Sequence, residues 1–262
     1  MASVGAISLE RTGVRGDRRF YLVNEDGILI NAKRAPSLLT VRPEIDDDHL
    51  VLHFPDGASV EGEVALGERV ETNFYGRPVA GRVVAGPWGE ALSEHAGMPL
   101  RLVKTAREGD GLDRGQSAGA TLVSTASLEA LRAAAGATGP VDGRRFRMTI
   151  GIEGVDAHAE DGWLGSNVRV GRALVLLRGN VGRCAVTTLD PDRGVRDLET
   201  LDVIADYRAE VPTSERLPFG VWGEVVEPGR IEVGDAIEAM LDDRLFADAG
   251  RGSVLESPST SP

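Results

Sequence analysis

The sequence is poor in the residues that build metal clusters or covalent cofactor links. It contains one cysteine, Cys184, and only two lysines, Lys33 and Lys104, among 262 residues. A single thiol cannot form an intramolecular disulfide, and it cannot hold an iron–sulfur cluster, which needs several cysteines. Neither lysine lies in a context typical of a pyridoxal phosphate site. We therefore expect no iron–sulfur cluster and no pyridoxal phosphate.

Long apolar runs and a surplus of basic residues are also missing. No run of about 18 uncharged apolar residues occurs, and the start, MASVGAISLERTG, has neither the basic nor the apolar region of a signal peptide. These absences predict a cytoplasmic protein with no membrane partner. The net charge of −12 argues against a nucleic-acid partner, because a phosphate backbone is bound by a basic surface. Arginine still suits a small anionic ligand.

Short apolar segments separated by turn residues fill the first part of the chain. RFYLVNEDGILINAKR and HLVLHFPDGASVEGEV each predict a β-hairpin, because an Asp-Gly pair interrupts two apolar segments. Ser93 and Gly97 bracket a predicted short helix. A second helix is predicted in STASLEALRAAAG, with Ser127 as its N-cap and Gly136 just after its end. This pattern is typical of a barrel or sandwich with a few helices.

The second part of the chain is again rich in predicted strands. RFRMTIGI, NVRVGRALVLLRGN and RCAVTTLD predict strands, DLETLDVIADYR predicts an amphipathic helix, and FGVWGEVVEPGRIEVGDAIEAM predicts two strands around a Pro-Gly turn. A boundary near Val103 precedes the glycine-rich REGDGLDRGQSAG. We therefore predict a first domain over 1–103, a second over 104–246, and a disordered polar tail over 247–262.

Cys184 is the most informative candidate for chemistry. It is either a small buried apolar side chain or a reactive or metal-ligating thiolate, and the residue types alone leave both open. The adjacent Arg183 would favour a thiolate if its guanidinium turned toward the sulfur. One thiolate without a neighbouring His or Cys cannot hold a bare metal ion, so a cofactor would have to supply most of the other ligands.

The remaining polar motifs are less informative about function. His49 and His53 have the spacing of a helical zinc pair, but their segment is strand-like and no third ligand follows, so we expect no zinc site. The glycine-rich segment GDGLDRGQSAG matches no phosphate-binding loop pattern and is interpreted as a linker. Asp190, in DPDRG, is either a proton donor or the side-chain cap of the turn, and we favour the cap.

Several stretches together resemble one known family. RCAVTTLDPDRG, LETLDVIADYR and FGVWGEVVEPGRIEVGD resemble the MOSC domain, and GDRRFYLVNEDGILINAKRAPSLL resembles the β-barrel domain that precedes MOSC in the amidoxime-reducing proteins and the molybdenum cofactor sulfurases. The stretches occur in the family's order over most of the chain. The resemblance implies a MOSC β-barrel fold, mainly β with a few helices, preceded by a smaller β-barrel domain.

The resemblance also implies a molybdenum cofactor, with Cys184 as the protein's ligand to the metal. Positions that match the family's cofactor contacts, or lie beside Cys184, are Arg18, Lys33, Arg34, Ser117, Arg147, Thr149, Arg183 and Thr187. One of Lys33 and Arg34 is expected to face the cofactor. Thr149 stands where the amidoxime-reducing proteins have Asn, which puts one pterin contact in doubt.

The function implied is reduction of a small N-oxygenated substrate, such as a hydroxylamine or an amidoxime, by the bound molybdenum. Because no cysteines remain for an iron–sulfur cluster, electrons would come from a separate donor protein. The alternative is a carrier of molybdenum cofactor, or of a persulfide on Cys184, that turns over no substrate. A persulfide carrier needs an exposed thiol, whereas a metal-ligating thiol is expected at the bottom of a cleft.

Overall fold

The structure is a computed structural model that describes residues 4–112 and 114–240. The predicted tail, 247–262, lies outside the described residues. Within them the chain forms seventeen strands and three α-helices. This confirms the prediction of a mainly β fold with a few helices.

Ten strands and one helix come from the first part of the chain. The strands are β1 Ala6–Glu10, β2 Gly13–Val14, β3 Phe20–Val23, β4 Leu29–Ile30, β5 Arg42–Asp46, β6 His49–His53, β7 Ser59–Glu63, β8 Ala65–Phe74, β9 Arg77–Ala85 and β10 Arg101–Thr105; the helix is α1 Trp88–Ala96. Both predicted hairpins form, since β3 pairs with β4 and β6 with β7 in antiparallel register.

The second part of the chain supplies the other seven strands and two helices. They are β11 Ala120–Ser124, α2 Thr125–Ala134, β12 Ile150–Ile152, β13 Asn167–Val170, β14 Ala173–Gly182, α3 Thr200–Tyr207, β15 Pro218–Glu227, β16 Gly229–Glu232 and β17 Ile237–Met240. Short 3₁₀ helices at Pro36–Thr40, Gly115–Ser117, Gly143–Phe146, Ala159–Trp163 and Ala185–Thr188 lie in the connections.

The strands form four sheets. A five-stranded sheet with order β4-β3-β10-β9-β8 and a three-stranded sheet β5-β6-β7 make up the N-terminal unit, while a six-stranded sheet β12-β11-β15-β14-β13-β17 forms the C-terminal unit. The fourth sheet, β16-β1-β2, attaches the first strands of the chain to the C-terminal unit. The predicted division at residue 103 stays a prediction, and β10 runs across it.

Each unit has its own apolar core. In the C-terminal unit Leu122, Val168, Val175, Leu177 and Val221 are fully buried, because β11, β13, β14 and β15 lie inside the sheet and direct these residues to one core. In the N-terminal unit the core centres on Trp88 of α1, whose indole N–H donates to the Leu50 carbonyl. Among the described residues no helix has the length and apolarity needed to cross a membrane.

The helices differ in detail from their predicted ends. The first begins at Trp88 rather than Ser93, because the Ser93 hydroxyl instead accepts from the Leu100 N–H beyond the helix. The N-cap of α2 is Ser124, whose side chain accepts from the Ser127 N–H, while Gly136 has the expected positive φ, +61°. The helix predicted in DLETLDVIADYR is present as α3.

Candidate functional site

Cys184 lies two residues beyond the end of β14, a strand whose centre is buried in the C-terminal sheet. A Cβ at Gly182 would lie 2.6 Å from a Glu215 carboxylate oxygen, so the glycine lets the segment 215–217 approach the strand end. The Arg183 N–H then donates to the Leu217 carbonyl. Cys184 itself has an extended backbone and makes no side-chain capping bond, and its side chain is exposed. The thiol is therefore accessible on a well-anchored backbone.

Arg183 points inward, away from solvent. Its guanidinium donates to the carbonyls of Phe219 (Nε, 2.8 Å) and Phe146 (Nη1, 2.9 Å) and lies over the Phe146 ring, 5.1 Å from its centroid. Burial lowers the pKa of Arg183 to about 9, and the neighbouring Cys184 opposes that shift. Arg183 thus ties the thiol-bearing segment to the phenylalanines of a third apolar cluster.

The prediction that RCAVTTLD forms a strand is wrong. Residues Ala185–Thr188 form a 3₁₀ helix, because the Thr187 and Thr188 hydroxyls donate to carbonyls three residues earlier, those of Cys184 and Ala185. Thr187 is buried, and its hydroxyl also bonds the Thr200 hydroxyl of α3 at 2.8 Å. Thr187 therefore holds the Cys184 carbonyl from the buried side of the segment. Its predicted contact with a cofactor stays a prediction.

A tight turn follows this 3₁₀ helix. The Asp190 carboxylate accepts from the N–H groups of Asp192 and Arg193, at 2.8 and 2.9 Å, and the Gly194 N–H donates to the Asp190 carbonyl. Asp190 is therefore occupied as the cap of the turn. This is the role the sequence favoured over proton donation.

Two predicted anchors, Arg18 and Arg147, are brought together from positions 129 residues apart. Arg18 Nη2 lies 3.5 Å from the Arg147 carbonyl, and both residues have positive φ, +50° and +52°. Such a backbone is unfavourable for arginine, so the surrounding structure must hold it. Arg147 follows Phe146, whose carbonyl accepts from Arg183, so this arginine pair is linked through Phe146 to the residue before Cys184. Most of RFRMTIGI is consequently not strand, and β12 begins only at Ile150.

Lys33 and Arg34 are exposed at the edge of the same region. Their loop turns on Asn31, which accepts from the Lys33 N–H through its side chain and from the Arg34 N–H through its carbonyl. The backbone of the loop then passes against the turn after Cys184: a Cβ at Gly194 would lie 2.5 Å from the Pro36 carbonyl oxygen. The loop that bears Lys33 and Arg34 thus contacts the turn that follows Cys184.

Ser117 and Thr149 lie on two other elements of the C-terminal unit. Ser117 is exposed, its hydroxyl lies 3.4 Å from the Arg114 carbonyl, and Arg114 pairs with Glu215 next to Gly182. The Thr149 hydroxyl bonds the Thr121 hydroxyl at 3.0 Å, and its N–H donates to the same oxygen, so this residue is fixed to β11. The roles of Ser117 and Thr149 toward a cofactor stay predictions.

Glu215 and Gly194 were not predicted as site residues, although they pack on the two sides of the Cys184 segment. Nothing in their local sequence signals the contacts, because the partners lie far along the chain. The two histidines with zinc-like spacing are paired with acids: His49 with Glu61 and Glu63, and His53 with Glu44. Within the described residues no group of His, Cys, Asp and Glu has the arrangement of a metal site.

Two family models match the chain, and they define the class of protein. The MOSC N-terminal beta barrel domain matches residues 2–83, and the MOSC domain matches residues 112–238. The chain therefore belongs to the MOSC family, in the subgroup in which a smaller β-barrel domain precedes MOSC. Both the recognised resemblance and the expected fold class are confirmed.

The individual relatives include amidoxime-reducing components and molybdenum cofactor sulfurases. The chain is 27% identical to mitochondrial amidoxime-reducing component 1 of Homo sapiens, over 87% of this chain and 74% of that protein, and 27% identical to that of Xenopus laevis, over 90% and 75%. It is 28% identical to molybdenum cofactor sulfurase of Drosophila persimilis over 83% of this chain, which spans 28% of the sulfurase.

Two solved structures have a lower sequence identity to this chain. YiiM from Geobacillus stearothermophilus is 15% identical, with 77% of this chain and 72% of that chain covered and a TM-score of 0.36. The YuaD protein from Bacillus subtilis is 16% identical, with 47% and 64% covered and a TM-score of 0.33. The curated relatives, rather than these structures, support a function related to molybdenum cofactor.

Proposed function

We propose that the chain binds molybdenum cofactor through Cys184 and reduces small N-oxygenated compounds with electrons from a separate protein. The observation that carries the proposal is an exposed thiol whose segment contacts stretches that bear basic residues in both units. The Arg18–Arg147 pair adjoins the Phe146 carbonyl that Arg183 binds, and the Lys33–Arg34 loop contacts the turn after Cys184, in a chain with a net charge of −12. A basic cluster in an acidic protein suits a phosphate-bearing ligand.

The donor set fits that cofactor. A thiolate is a soft ligand appropriate to molybdenum, and Cys184 uses its side chain for no structural bond. Arginine side chains bind phosphate oxygens through paired N–H groups. When bound, the cofactor would supply the two-electron chemistry and the remaining ligands, which the chain lacks.

The chain's own residues would bind and orient. Cys184 would hold the metal, while Arg18, Arg147 and one of Lys33 and Arg34 would hold the anionic part of the cofactor. Arg183 and Thr187 support the Cys184 segment from its buried side. Arg183 donates to the carbonyls of Phe146 and Phe219, and the Thr187 hydroxyl donates to the Cys184 carbonyl. Because Asp190 is occupied as the cap of its turn, we assign it no role as a proton donor.

A second candidate is supported by the exposure of the thiol. Cys184 is exposed rather than set at the bottom of a cleft, and an exposed thiol is what a carrier of persulfide sulfur requires. In that function the same arginines would bind the cofactor that receives the sulfur. The two candidates differ in what remains on Cys184 after purification: molybdenum in one, an added sulfur atom in the other.

The test is the molybdenum content per chain, measured by elemental mass spectrometry after expression in a host that makes the cofactor. We expect near-stoichiometric metal in the wild type and strong depletion in Cys184→Ser. Arg18→Ala and Arg147→Ala should retain the cofactor about tenfold less well, the usual scale for one charge-assisted hydrogen bond.

Arg178→Ala is the matched control, because Arg178 is also exposed but pairs with Glu224 on the C-terminal sheet. It should keep its metal. Absence of molybdenum from a folded wild type would contradict the reductase proposal. A mass increase of one sulfur atom on Cys184 in that sample would favour the persulfide carrier instead.

A further inference from the structure

The turn after Cys184 is closed upon itself. Leu189 and Arg196 form an isolated antiparallel bridge at its base, the Asp190 N–H donates to the Val195 carbonyl at 2.8 Å, and the Asp190 carboxylate caps the tip. We call residues 189–196 the post-cysteine turn. These internal bonds fix its shape, and its base lies five residues after Cys184.

The tip of the post-cysteine turn contacts the N-terminal unit backbone to backbone. Gly194 has φ of +65°, and a Cβ there would lie 2.5 Å from the Pro36 carbonyl oxygen and 3.4 Å from Ser37 Cα. Neither neighbour is the flexible end of a side chain, so only glycine permits this approach. Pro36 follows directly on Lys33, Arg34 and the buried Ala35.

Asp192 adds a charged link at the same tip. Arg144 binds its carboxylate with two nitrogens, at 2.9 and 2.5 Å, and Arg42 at the start of β5 lies 3.5 Å from it. The carboxylate thus faces one arginine from each unit. The bond from Arg144 holds the pKa of Asp192 below its usual range. The exposed Arg42 pair alone would contribute little, but it acts together with the glycine contact.

We infer that the post-cysteine turn is the joint that sets the position of the Lys33–Arg34 loop relative to Cys184, with Gly194 and Asp192 as positioning residues. The inference rests on the proposed function only in that the two basic residues then serve the cofactor. Its physical content is independent: while the joint is intact, the positive charges of the loop raise the local concentration of anions at the thiol.

Cys184 reports this charge directly, because it is the chain's single cysteine. The full-length chain, produced in a host without molybdenum cofactor, would react with two aromatic disulfide reagents, one dianionic and one neutral, under excess reagent at low ionic strength. The ratio of the two rate constants measures the electrostatic environment of the thiol and cancels differences in steric access. Added salt should lower the ratio, since it screens the loop.

We expect Gly194→Ala to lower the anionic-to-neutral ratio about threefold for each basic charge moved away, the scale of one unit charge at several ångströms in water. Gly136→Ala is the matched control, because Gly136 has nearly the same φ, +61°, but nothing within 4 Å of a Cβ. It should leave the ratio unchanged while bearing the same backbone cost of a positive φ.

Asp192→Asn tests the same joint without altering the glycine, and it covers the case in which Gly194→Ala does not fold. It removes the charge link to Arg144 and Arg42 and also one negative charge, which by itself raises the ratio. Displacement of the loop should therefore show as a ratio below that of an equal charge change elsewhere, and Asp192→Glu should recover part of the difference. Asp206→Asn, an equal charge change on an exposed residue of α3, is its control.

Lys33→Ala and Arg34→Ala complete the set, since at least one of them must lower the ratio. An unchanged ratio in both, or a fall in Gly136→Ala as large as in Gly194→Ala, would overturn the inference. Molybdenum retention measured on the same variants separates the two proposals: a chain that binds no molybdenum but shows the expected ratios would lose the proposed function and keep the joint.

Discussion

The sheet that carries Cys184 and the outer sheet β5-β6-β7 are built in opposite ways. In β14 half of the residues are buried and one is exposed, and the strand lies between β13 and β15, whereas all five residues of β5 are exposed and it pairs only with β6. The thiol follows a strand that is enclosed between two others, whereas the sheet β5-β6-β7 is held by the apolar residues on its buried face and by surface charges. The contrast predicts that the sheet before the thiol is the more rigid of the two.

Truncation of a core side chain should separate the two sheets most strongly. Leu177 of β14 is fully buried, so Leu177→Ala should destabilise the chain by about 2–5 kcal/mol through lost burial and an unfilled cavity. Ile45 of β5 is 38% exposed, and Ile45→Ala should change the free energy of unfolding by less than about 0.5 kcal/mol. Denaturant unfolding monitored by circular dichroism measures both, and equal losses would contradict the contrast.

The second-largest difference in stability is expected between variants of a buried and of an exposed carboxylate. Glu160 is fully buried, and its Oε1 accepts from the Ser124 N–H and the Ser127 hydroxyl, so Glu160→Ala should cost about 1–3 kcal/mol by leaving those donors unpaired. Glu68 binds Arg101 near the surface of the N-terminal unit, and Glu68→Ala should have no measurable effect. Thermal unfolding of the two variants tests this, and a larger loss in Glu68→Ala would reverse the ranking.

The smallest effect is a difference in pH dependence between two histidines. Hydrogen bonds to Glu63 and Glu61 raise the pKa of His49, so its contribution to stability is present below its ordinary value of 6.5 and is lost as pH rises through the raised value. Burial, reinforced by Arg208, lowers the pKa of His158 below 6.5. Its contribution is present above 6.5 and is lost as pH falls toward the lowered value.

Proton NMR titration should therefore show His49 and His158 on opposite sides of 6.5. The chain has four histidines, so His49→Gln and His158→Gln suffice to assign the two resonances. In addition, stability should decline less between pH 6 and 8, roughly the range of histidine titration, in His49→Gln than in wild type. Coincident titrations of the two histidines would show that burial and the glutamates do not separate them.

Local patterns predicted the parts of the fold that depend on neighbouring residues. The two hairpins formed because their turn residues and alternation act within a few positions, and Asp190 caps its turn for the same reason. The 3₁₀ helix after Cys184 was missed, since its β-branched residues favour strands until their hydroxyls find carbonyls three residues back.

Residues that act across long sequence distances gave no such signal. The positive φ of Arg147, the Arg144–Asp192 pair and the Gly194–Pro36 contact depend on tertiary neighbours. The resemblance to a family indicated Arg18, Lys33 and Arg147 as a set, and the structure shows a contact between Arg18 and Arg147. Periodicity and composition would have left these residues as scattered surface cations.

The pairing of β1 with β16 has a consequence for how the protein is divided. Leu9 of β1 is buried in the core of the C-terminal unit, so the first strand of the chain completes a body whose other strands begin a hundred residues later. A fragment starting at residue 104 would contain the whole MOSC match and still leave β16 unpaired and a cavity where Leu9 packs. The stretch that matches the MOSC domain is therefore smaller than the set of strands that forms the C-terminal unit.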